Sequence, residues 1–239
     1  MQAALQVNWR NKASYAYAAK LTGLGWAWEF LRRNPRFREE CARSAARPAA
    51  GGKTPRPIFP PSKWGVLRTD SLDQTAAEAN VFWDPAVCLS VLQLIAPAAP
   101  LGAPHNVLVC EGERRLQLAI WHCPCIEEDA LLTSALVAPD GLRQRQRSLA
   151  GLNAYIFTGH LPVHLFPQLA GGARLVHVAQ ALDGALSSAS HREIAAAVYG
   201  ERRVLTSWND PGEHLRDTVR RSIVRGKSLM NGGYRRFLR

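Results

Sequence analysis

Two helices with clearly marked ends are predicted near the C-terminus, and they constrain the fold more than any other part of the chain. Ser190 suits the N-cap of the first helix, because its hydroxyl can accept a backbone hydrogen bond at the third helical position. Glu193 stands at that position and completes the pattern of a capping box. Gly200 ends the helix, since glycine readily adopts the left-handed conformation found after a helix C-terminus. We interpret 201–210 as a loop that leads to the second helix.

The second predicted helix has Pro211 in its first turn and extends to about Met230. At about 100° per residue, its apolar and small side chains fall on one face and its basic side chains cover the rest. The first group is Leu215, Val219, Ser222, Ile223, Gly226 and Met230. The basic group is Arg216, Arg220, Arg221, Arg225 and Lys227. One side of this helix is therefore expected to pack, and the other to be cationic.

A basic helix held against a small helical core is the arrangement that places positive side chains in a DNA major groove. The segment 201–210 is longer than the turn of an ordinary helix-turn-helix, so we interpret the helix pair as a variant of that motif. The candidate DNA-binding residues are Ser190, Arg192, Arg202, Arg203, Arg216, Arg220, Arg221, Arg225 and Lys227. Arg216, Arg220 and Arg221 are expected to read bases or clamp phosphates. Arg225 and Lys227 are expected to position the helix on the DNA backbone. A solvated basic helix at the end of a domain is the alternative interpretation.

Three aromatic residues flank the basic helix, namely Trp208, Tyr234 and Phe237. Such side chains can stack on nucleic acid, but after a helix they more often close a core. We favour the core interpretation.

Charge is distributed unevenly along the 239 residues, whose net charge is +11. Residues 1–65 contain 12 Lys and Arg against 3 Asp and Glu, and residues 190–239 contain 11 against 5. Residues 66–140 contain 3 against 10. Two basic ends around an acidic middle suit a nucleic-acid binder, although a ribosome-like or membrane surface would also attract them. Because the sequence has no signal peptide and no long apolar run, we expect a cytoplasmic protein without membrane insertion.

The apolar pattern changes from helical to strand-like and back to helical, which predicts an α+β fold. The predicted segments are an N-terminal helical module at 1–46, a Pro/Gly/Ala linker at 47–63, a small β-rich region with an antiparallel sheet at 64–125, and a C-terminal helical DNA-binding domain at 126–239. In the N-terminal module, Asn34 is expected to cap a helix that starts at Pro35.

Three further local features carry structural predictions. Glu111-Gly112-Glu113 is a candidate hairpin turn. Leu149, Leu152 and Ile156 fall on one face of a predicted helix. Another helix, over 173–184, is expected to brace the first of the two C-terminal helices.

Residues suited to metal binding or catalysis are present, but their spacing specifies neither. His122-Cys123-Pro124-Cys125, with Cys110, has metal-ligand residue types, yet a Cys-x-Cys spacing lacks the second pair that zinc sites usually have. Free thiols and a loop histidine are the favoured interpretation for these residues. The acidic residues of the middle region have no partner at a spacing typical of acid–base catalysis or a nuclease metal site. We therefore expect no catalytic residue, no metal and no cofactor, and a protein that is not an enzyme.

Three stretches of the sequence are distinctive. They are Gly25-Trp26-Ala27-Trp28-Glu29-Phe30-Leu31-Arg32-Arg33-Asn34-Pro35, Val81-Phe82-Trp83-Asp84-Pro85, and the region from Leu215-Arg216-Asp217 to Gly232-Gly233-Tyr234-Arg235. Together they resemble the transcriptional-regulator-like proteins of proteobacterial integrative and conjugative elements. The linker after Ala46 and the His122-Cys123-Pro124-Cys125 run depart from that pattern.

The resemblance implies an N-terminal module joined to a C-terminal domain of unknown function that is a helix-turn-helix variant. It implies an activator that binds promoter DNA with RNA polymerase and controls genes for excision and conjugative transfer. Shorter relatives that carry the C-terminal module alone act as antiactivators by binding the longer proteins. We therefore predict a DNA-binding transcriptional activator, with RNA polymerase and an antiactivator of the same family as protein partners. The alternative is an interaction module that sequesters a regulator by docking its basic helix on an acidic surface.

Overall fold

A computed structural model describes residues 7–45, 57–95, 104–121, 133–134, 141–208 and 214–239. The predicted α+β fold is confirmed. The α-helices are α1 (Gly23–Leu31), α2 (Pro35–Ala45), α3 (Leu142–Thr158), α4 (Gly172–Leu186), α5 (His191–Tyr199), α6 (Glu201–Ser207) and α7 (His214–Met230). The strands are β1 (Val66–Thr69), β2 (Val81–Trp83), β3 (Leu92–Ile95), β4 (His105–Glu111), β5 (Arg114–Trp121) and β6 (Thr133–Ser134). Short 3₁₀ helices are found at Lys12–Lys20, Ser62–Trp64, Val163–Leu165 and Gly233–Leu238.

The chain forms two compact units that are discontinuous in sequence. Unit 1 consists of Met1–Glu39, Asp73–Ala77 and Gln168–Phe237. Unit 2 consists of Glu40–Leu72, Glu78–Pro167 and Leu238–Arg239. Helix α1 and helices α4 to α7 therefore share one unit. The four continuous segments expected from the sequence stay a prediction, because compactness does not show which segment folds alone.

Unit 2 contains two sheets, with strand orders β1-β2 and β4-β5-β3-β6. The predicted hairpin is confirmed: β4 and β5 are antiparallel, and Gly112 in their turn has a φ of 56°, which favours glycine. The expectation of an antiparallel sheet needs one correction, because β3 pairs with β5 in parallel. This register aligns Leu92 with Leu118 and Leu94 with Ile120. All four side chains consequently lie in one apolar core.

Part of the predicted linker is paired with a strand. Ile58 and Thr69 exchange two backbone hydrogen bonds, of 2.7 and 3.0 Å. The last two residues of the predicted linker, Ser62 and Lys63, begin the 3₁₀ helix Ser62–Trp64. The Pro/Gly/Ala composition therefore did not reveal that this end of the segment adds a bridge beside β1.

Helix α3 packs against the core of unit 2 over only part of its length. Leu149 and Leu152 contact the core, as their spacing predicted. The prediction is wrong for Ile156, which is 68% exposed. The core cluster is small, so the helical pattern of α3 continues beyond the surface on which the helix packs.

Helix α4 forms the centre of unit 1. Its predicted apolar positions are all buried, namely Leu175, Val178, Ala179 and Leu182. A Cβ added to Gly184 would lie 2.8 Å from Ile194 of α5, which confirms that α4 braces that helix closely. A Cβ on Gly226 of α7 would lie 2.9 Å from the Cβ of Leu182. Both glycines allow a neighbouring helix to approach α4 at a distance that a side chain would prevent.

Residues 201–207 form a helix, which corrects the predicted loop between the two C-terminal helices. Helix α6 starts directly after Gly200, whose φ of 91° turns the chain sharply between α5 and α6. Glu201 in the first turn stabilises α6, because its negative charge lies at the positive end of the helix dipole. The burial of Val204 packs this short helix against the rest of unit 1. The predicted place of Pro211 lies outside the described residues.

Candidate nucleic-acid interface

The predicted division of α7 into an apolar and a cationic side is confirmed. Its buried residues include Leu215, Val219, Ile223, Gly226 and Met230. Its exposed residues include Arg216, Arg220, Arg221, Arg225 and Lys227. Arg220 and Asp217 form an ion pair of 3.0 Å, but 66% of the Arg220 side chain is exposed, so water screens the pair. The helix therefore offers a cationic surface to a partner.

An open groove, here called the arginine groove, runs between α7 and the 3₁₀ helix Gly233–Leu238. Its lining includes Arg220, Arg221, Val224, Arg225, Ser228 and Arg236. Residues one and two helical turns apart lie on the same side of a helix, which explains why Arg221, Arg225 and Ser228 share this surface. Val224 is 62% exposed among them. Positive, apolar and hydroxyl groups therefore stand side by side on one stripe of α7.

Three of these six lining residues were not among the sequence candidates. Val224 and Ser228 follow Arg221 at three and seven positions, so helical spacing was the signal that could have found them. Arg236 belongs to a different element and reaches the groove only because the chain turns back after α7. No local pattern predicts that return.

The candidates on α5 and α6 surround the N-terminal ends of these helices. Arg192, Arg202 and Arg203 are exposed, and the Arg203 guanidinium lies 5.5 Å from the ring centroid of Tyr199. Ser190 forms the predicted capping box: its hydroxyl accepts from the Glu193 backbone N–H at 3.3 Å and donates to the Glu193 carboxylate at 2.9 Å. The serine hydroxyl is thus engaged in holding α5, and its contact with DNA stays a prediction.

The aromatic residues near α7 take structural positions. Tyr234 is 1% exposed, and the ring of Phe237 stacks on that of Phe30 with centroids 6.4 Å apart. The core interpretation is therefore confirmed for both. Trp208 is half-buried, and the guanidinium of Arg216 lies 5.6 Å from its ring centroid, within the range of a cation–π contact.

Asn34 attaches the N-terminal helices to the end of α7. Its Oδ1 accepts from the backbone N–H groups of Arg36 and Phe37, at 2.9 and 3.1 Å, which confirms the predicted N-cap. Its Nδ2 donates to the carbonyl of Met230 at 3.0 Å and to the Oδ1 of Asn231 at 3.1 Å. The carbonyls at a helix C-terminus have no partner within the helix, so one asparagine stabilises two helix ends.

A buried ionic network lies beneath this contact. The Nε and Nη2 of Arg33 donate to the two carboxylate oxygens of Asp183 at 2.8 and 3.0 Å, and its Nη1 contacts the Glu29 carboxylate at 2.6 Å. The Tyr15 hydroxyl donates to Asp183 at 2.6 Å. Arg32 lies 2.9 Å from the same Glu29 carboxylate oxygen as Arg33. These groups tie α1 to α4, the helix on which α7 packs.

The protonation of this network follows from its charges. Burial alone would raise the pKa of Glu29, but Arg33 and Arg32 together hold that pKa below its usual value. Burial alone would lower the pKa of Arg33, but Asp183 and Glu29 raise it well above the usual value. Burial, reinforced by the charge of Asp183, raises the pKa of Tyr15. Within the network, Glu29 is therefore ionised, Arg33 is charged and the Tyr15 phenol is neutral.

The acidic residues of the middle region and the residues with metal-ligand side chains are not part of this interface. Glu111 accepts from the backbone N–H of Leu161 at 2.6 Å and contacts Arg114 and His160; the Leu161 hydrogen bond is the main reason that the pKa of Glu111 is lowered. Within the described ranges, no group of three or more His, Cys, Asp or Glu side chains is placed to hold a metal ion. The His122-Cys123-Pro124-Cys125 run lies outside those ranges.

Two family models match the chain. One describes a T6SS transcription factor DNA-binding domain and matches residues 135–239. The other describes a proteobacterial transcriptional regulator-like domain and matches residues 8–67. These matches support a family of transcriptional regulators. No curated protein matches the sequence significantly.

The DNA-binding match includes α3 to α7, and with them every candidate DNA-binding residue and the whole arginine groove. DNA binding and transcription regulation, as predicted from the sequence, are therefore supported. The regulator-like match covers Asn34 and, within the ionic network, Tyr15, Glu29, Arg32 and Arg33. Among the helices that the structure describes, none combines the length and the apolar character needed to cross a membrane.

Proposed function

We propose that the protein is a DNA-binding transcriptional regulator that inserts α7 into the major groove of its operator. The observation that carries this proposal is the stripe of α7 along the arginine groove, where arginines, an exposed valine and a serine lie on a helix that is buried on its opposite side. An α-helix fits the width of the B-DNA major groove, and its exposed side chains can then reach base edges. The match to a DNA-binding domain supports the same function.

The side chains of the stripe suit base recognition. An arginine can donate two hydrogen bonds to the O6 and N7 of guanine, and an apolar side chain can contact the methyl group of thymine. Arg221 and Val224 supply these two groups one turn apart, and the Ser228 hydroxyl can donate or accept. We assign base contacts to these three residues. The cations on the flanks of the helix, Arg216 and Lys227, then contact the backbone.

Helices α5, α6 and α7 are proposed to form the helix-turn-helix variant. In this arrangement α5 and α6 support α7, and the exposed Arg192, Arg202 and Arg203 contact phosphates beside the major groove. The further parts of the proposal are the activation of excision and transfer genes of a mobile element, cooperation with RNA polymerase, and inhibition by an antiactivator of the same family. They are supported by the family resemblance of the three sequence stretches, and they involve no enzymatic activity or cofactor.

The first experiment selects binding sites from a random duplex library with the full chain and measures affinity by fluorescence anisotropy. Arg221→Ala is expected to weaken binding to the selected site by about 1–3 kcal/mol and to relax preference at one base pair. Val224→Ala is expected to change the preference for thymine with a smaller loss of affinity.

Arg174→Ala is the matched control, because Arg174 is exposed on α4, away from the arginine groove. It should leave the selected sequence unchanged. Enrichment of no sequence would contradict the proposal. A stoichiometric complex with another protein, without salt-sensitive DNA binding, would instead favour the interaction module that sequesters a regulator.

A further inference from the structure

We propose that the arginine groove seats one backbone phosphate of the bound DNA, held jointly by Arg225 of α7 and Arg236 of the C-terminal 3₁₀ helix. This assignment rests on the proposed DNA binding, and it adds an element that the helix-turn-helix variant does not contain. The two guanidinium groups come from residues on different elements that line the same groove. Each guanidinium carries several N–H donors in a planar fork, which matches the oxygens of a phosphate.

The charges of the groove favour an anion. Four of its lining residues are arginines, and none is acidic. Among the described residues, neither Arg225 nor Arg236 forms an ion pair with a carboxylate. Partial burial and the nearby charge of Arg225 lower the pKa of Arg236; two cations that line one groove repel each other. A phosphate between them would relieve that repulsion.

The 3₁₀ helix holds Arg236 in place before any ligand binds. The Arg236 guanidinium lies 4.8 Å from the ring centroid of Phe237, and that ring stacks on Phe30 of α1. Close approach of the 3₁₀ helix to α7 depends on Gly233, because a Cβ at this position would lie 2.8 Å from the carbonyl oxygen of Ser228. A preorganised side chain loses less conformational entropy when it binds. Arg236 is therefore better suited to a fixed phosphate contact than an arginine on a flexible tail.

The test measures how the affinity for a short mixed-sequence duplex depends on salt, because phosphate contacts are independent of sequence. Neutralising one phosphate changes the slope of log K against log salt by about 0.9. The double variant Arg225→Gln/Arg236→Gln is therefore expected to have a slope smaller by about 0.9 than the unmodified chain. Lys20→Gln/Arg174→Gln removes the same charge at exposed positions outside the groove and should leave the slope unchanged.

Two results for the slope would contradict a single phosphate site shared by Arg225 and Arg236. An unchanged slope in the double variant would mean that no phosphate binds there, and a decrease of about 1.8 would mean two separate phosphates instead of one shared. Arg236→Lys keeps the charge but loses the fork, so we expect weaker binding with the original slope. Thermal unfolding of each variant checks that the fold is retained, and Arg236→Lys keeps the test informative if the double variant does not fold.

The result also distinguishes failure of the phosphate site from failure of the proposed regulator. If the chain binds duplex DNA with the expected slopes but selects no sequence, the phosphate site is supported and the proposed function is contradicted. If the chain selects a sequence but the double variant has an unchanged slope, the proposed function is supported and the phosphate site is contradicted. Binding to phosphatidylglycerol vesicles without binding to duplex DNA would contradict the proposal that the groove binds a phosphate of DNA.

Discussion

The Nδ2 atom of Asn34 donates a hydrogen bond of 3.0 Å to the carbonyl oxygen of Met230, which is the last residue of α7. Asn34 belongs to the distinctive N-terminal stretch from Gly25 to Pro35, whereas Met230 ends the helix to which we assign DNA recognition. The contact shows that this stretch contributes to the orientation of α7 within unit 1. Changes at the N-terminus are therefore expected to affect DNA binding without touching DNA.

Substitution of Asn34 tests this contribution. Asn34→Ala removes the N-cap of α2, at a cost of about 1 kcal/mol, and leaves the buried end of α7 without its donor, at a further cost of about 1 kcal/mol or more. Asn34→Ser retains a capping oxygen and loses only the donor, so its destabilisation should be about half as large. Urea unfolding measures both variants, and DNA affinity should fall in each. An Asn34→Ser variant as stable as the unmodified chain would contradict the separate contribution of the α7 contact.

Asp183 is expected to be the most sensitive position of the ionic network. Asp183→Ala leaves the fully buried Arg33 without its bidentate partner, which should cost about 3–5 kcal/mol. Arg10→Ala is the control, because the Arg10–Glu193 pair of 3.1 Å is exposed, with 64% of the Arg10 side chain accessible. Loss of an exposed pair should cost less than about 1 kcal/mol. Similar unfolding free energies for the two variants would show that burial does not determine the strength of the network.

Stability should also decrease in acid because of Glu29. The pKa of this carboxyl is lower in the folded protein than its ordinary value of 4.5. A lowered folded-state pKa contributes stability that is fully present above pH 4.5 and is lost as the pH falls through the folded-state value. The melting temperature, measured between neutral pH and acid, should therefore fall less steeply for Glu29→Gln than for the unmodified chain. Parallel curves would mean that Glu29 does not titrate as the network requires.

Gly226 is expected to resist replacement although it lies inside a helix. Alanine would favour helix formation by about 1 kcal/mol, but its Cβ would lie 2.9 Å from Leu182 and 3.2 Å from the carbonyl oxygen of Val178. Overpacking of this kind typically costs about 1–3 kcal/mol. Gly226→Ala should therefore destabilise the protein and weaken DNA binding by displacing α7 from α4. The exposed neighbour Lys227→Ala should change stability by less than about 0.5 kcal/mol, and a stabilised Gly226→Ala variant would contradict the close packing.

The sequence alone determined the features that depend on neighbouring residues. The sequence predicts four such features, which are the capping box of Ser190 and Glu193, the N-cap at Asn34, the hairpin turn at Gly112 and the two sides of α7. Each depends on hydrogen bonds or on side-chain spacing within a few positions of the chain. Such interactions form in much the same way whatever the rest of the protein does.

The tertiary structure decided which distant surfaces are buried together. Residues 201–207, predicted as a loop, form a helix whose Val204 is buried, and β3 pairs with β5 in parallel. The tertiary structure also brought Arg236 to the groove of α7 and Asn34 to Met230. These outcomes depend on the competition between alternative long-range contacts for the same apolar surface and the same unpaired backbone groups. Local spacing carries no information about that competition, which is why the helix that we assign to DNA recognition could be predicted and the groove beside it could not.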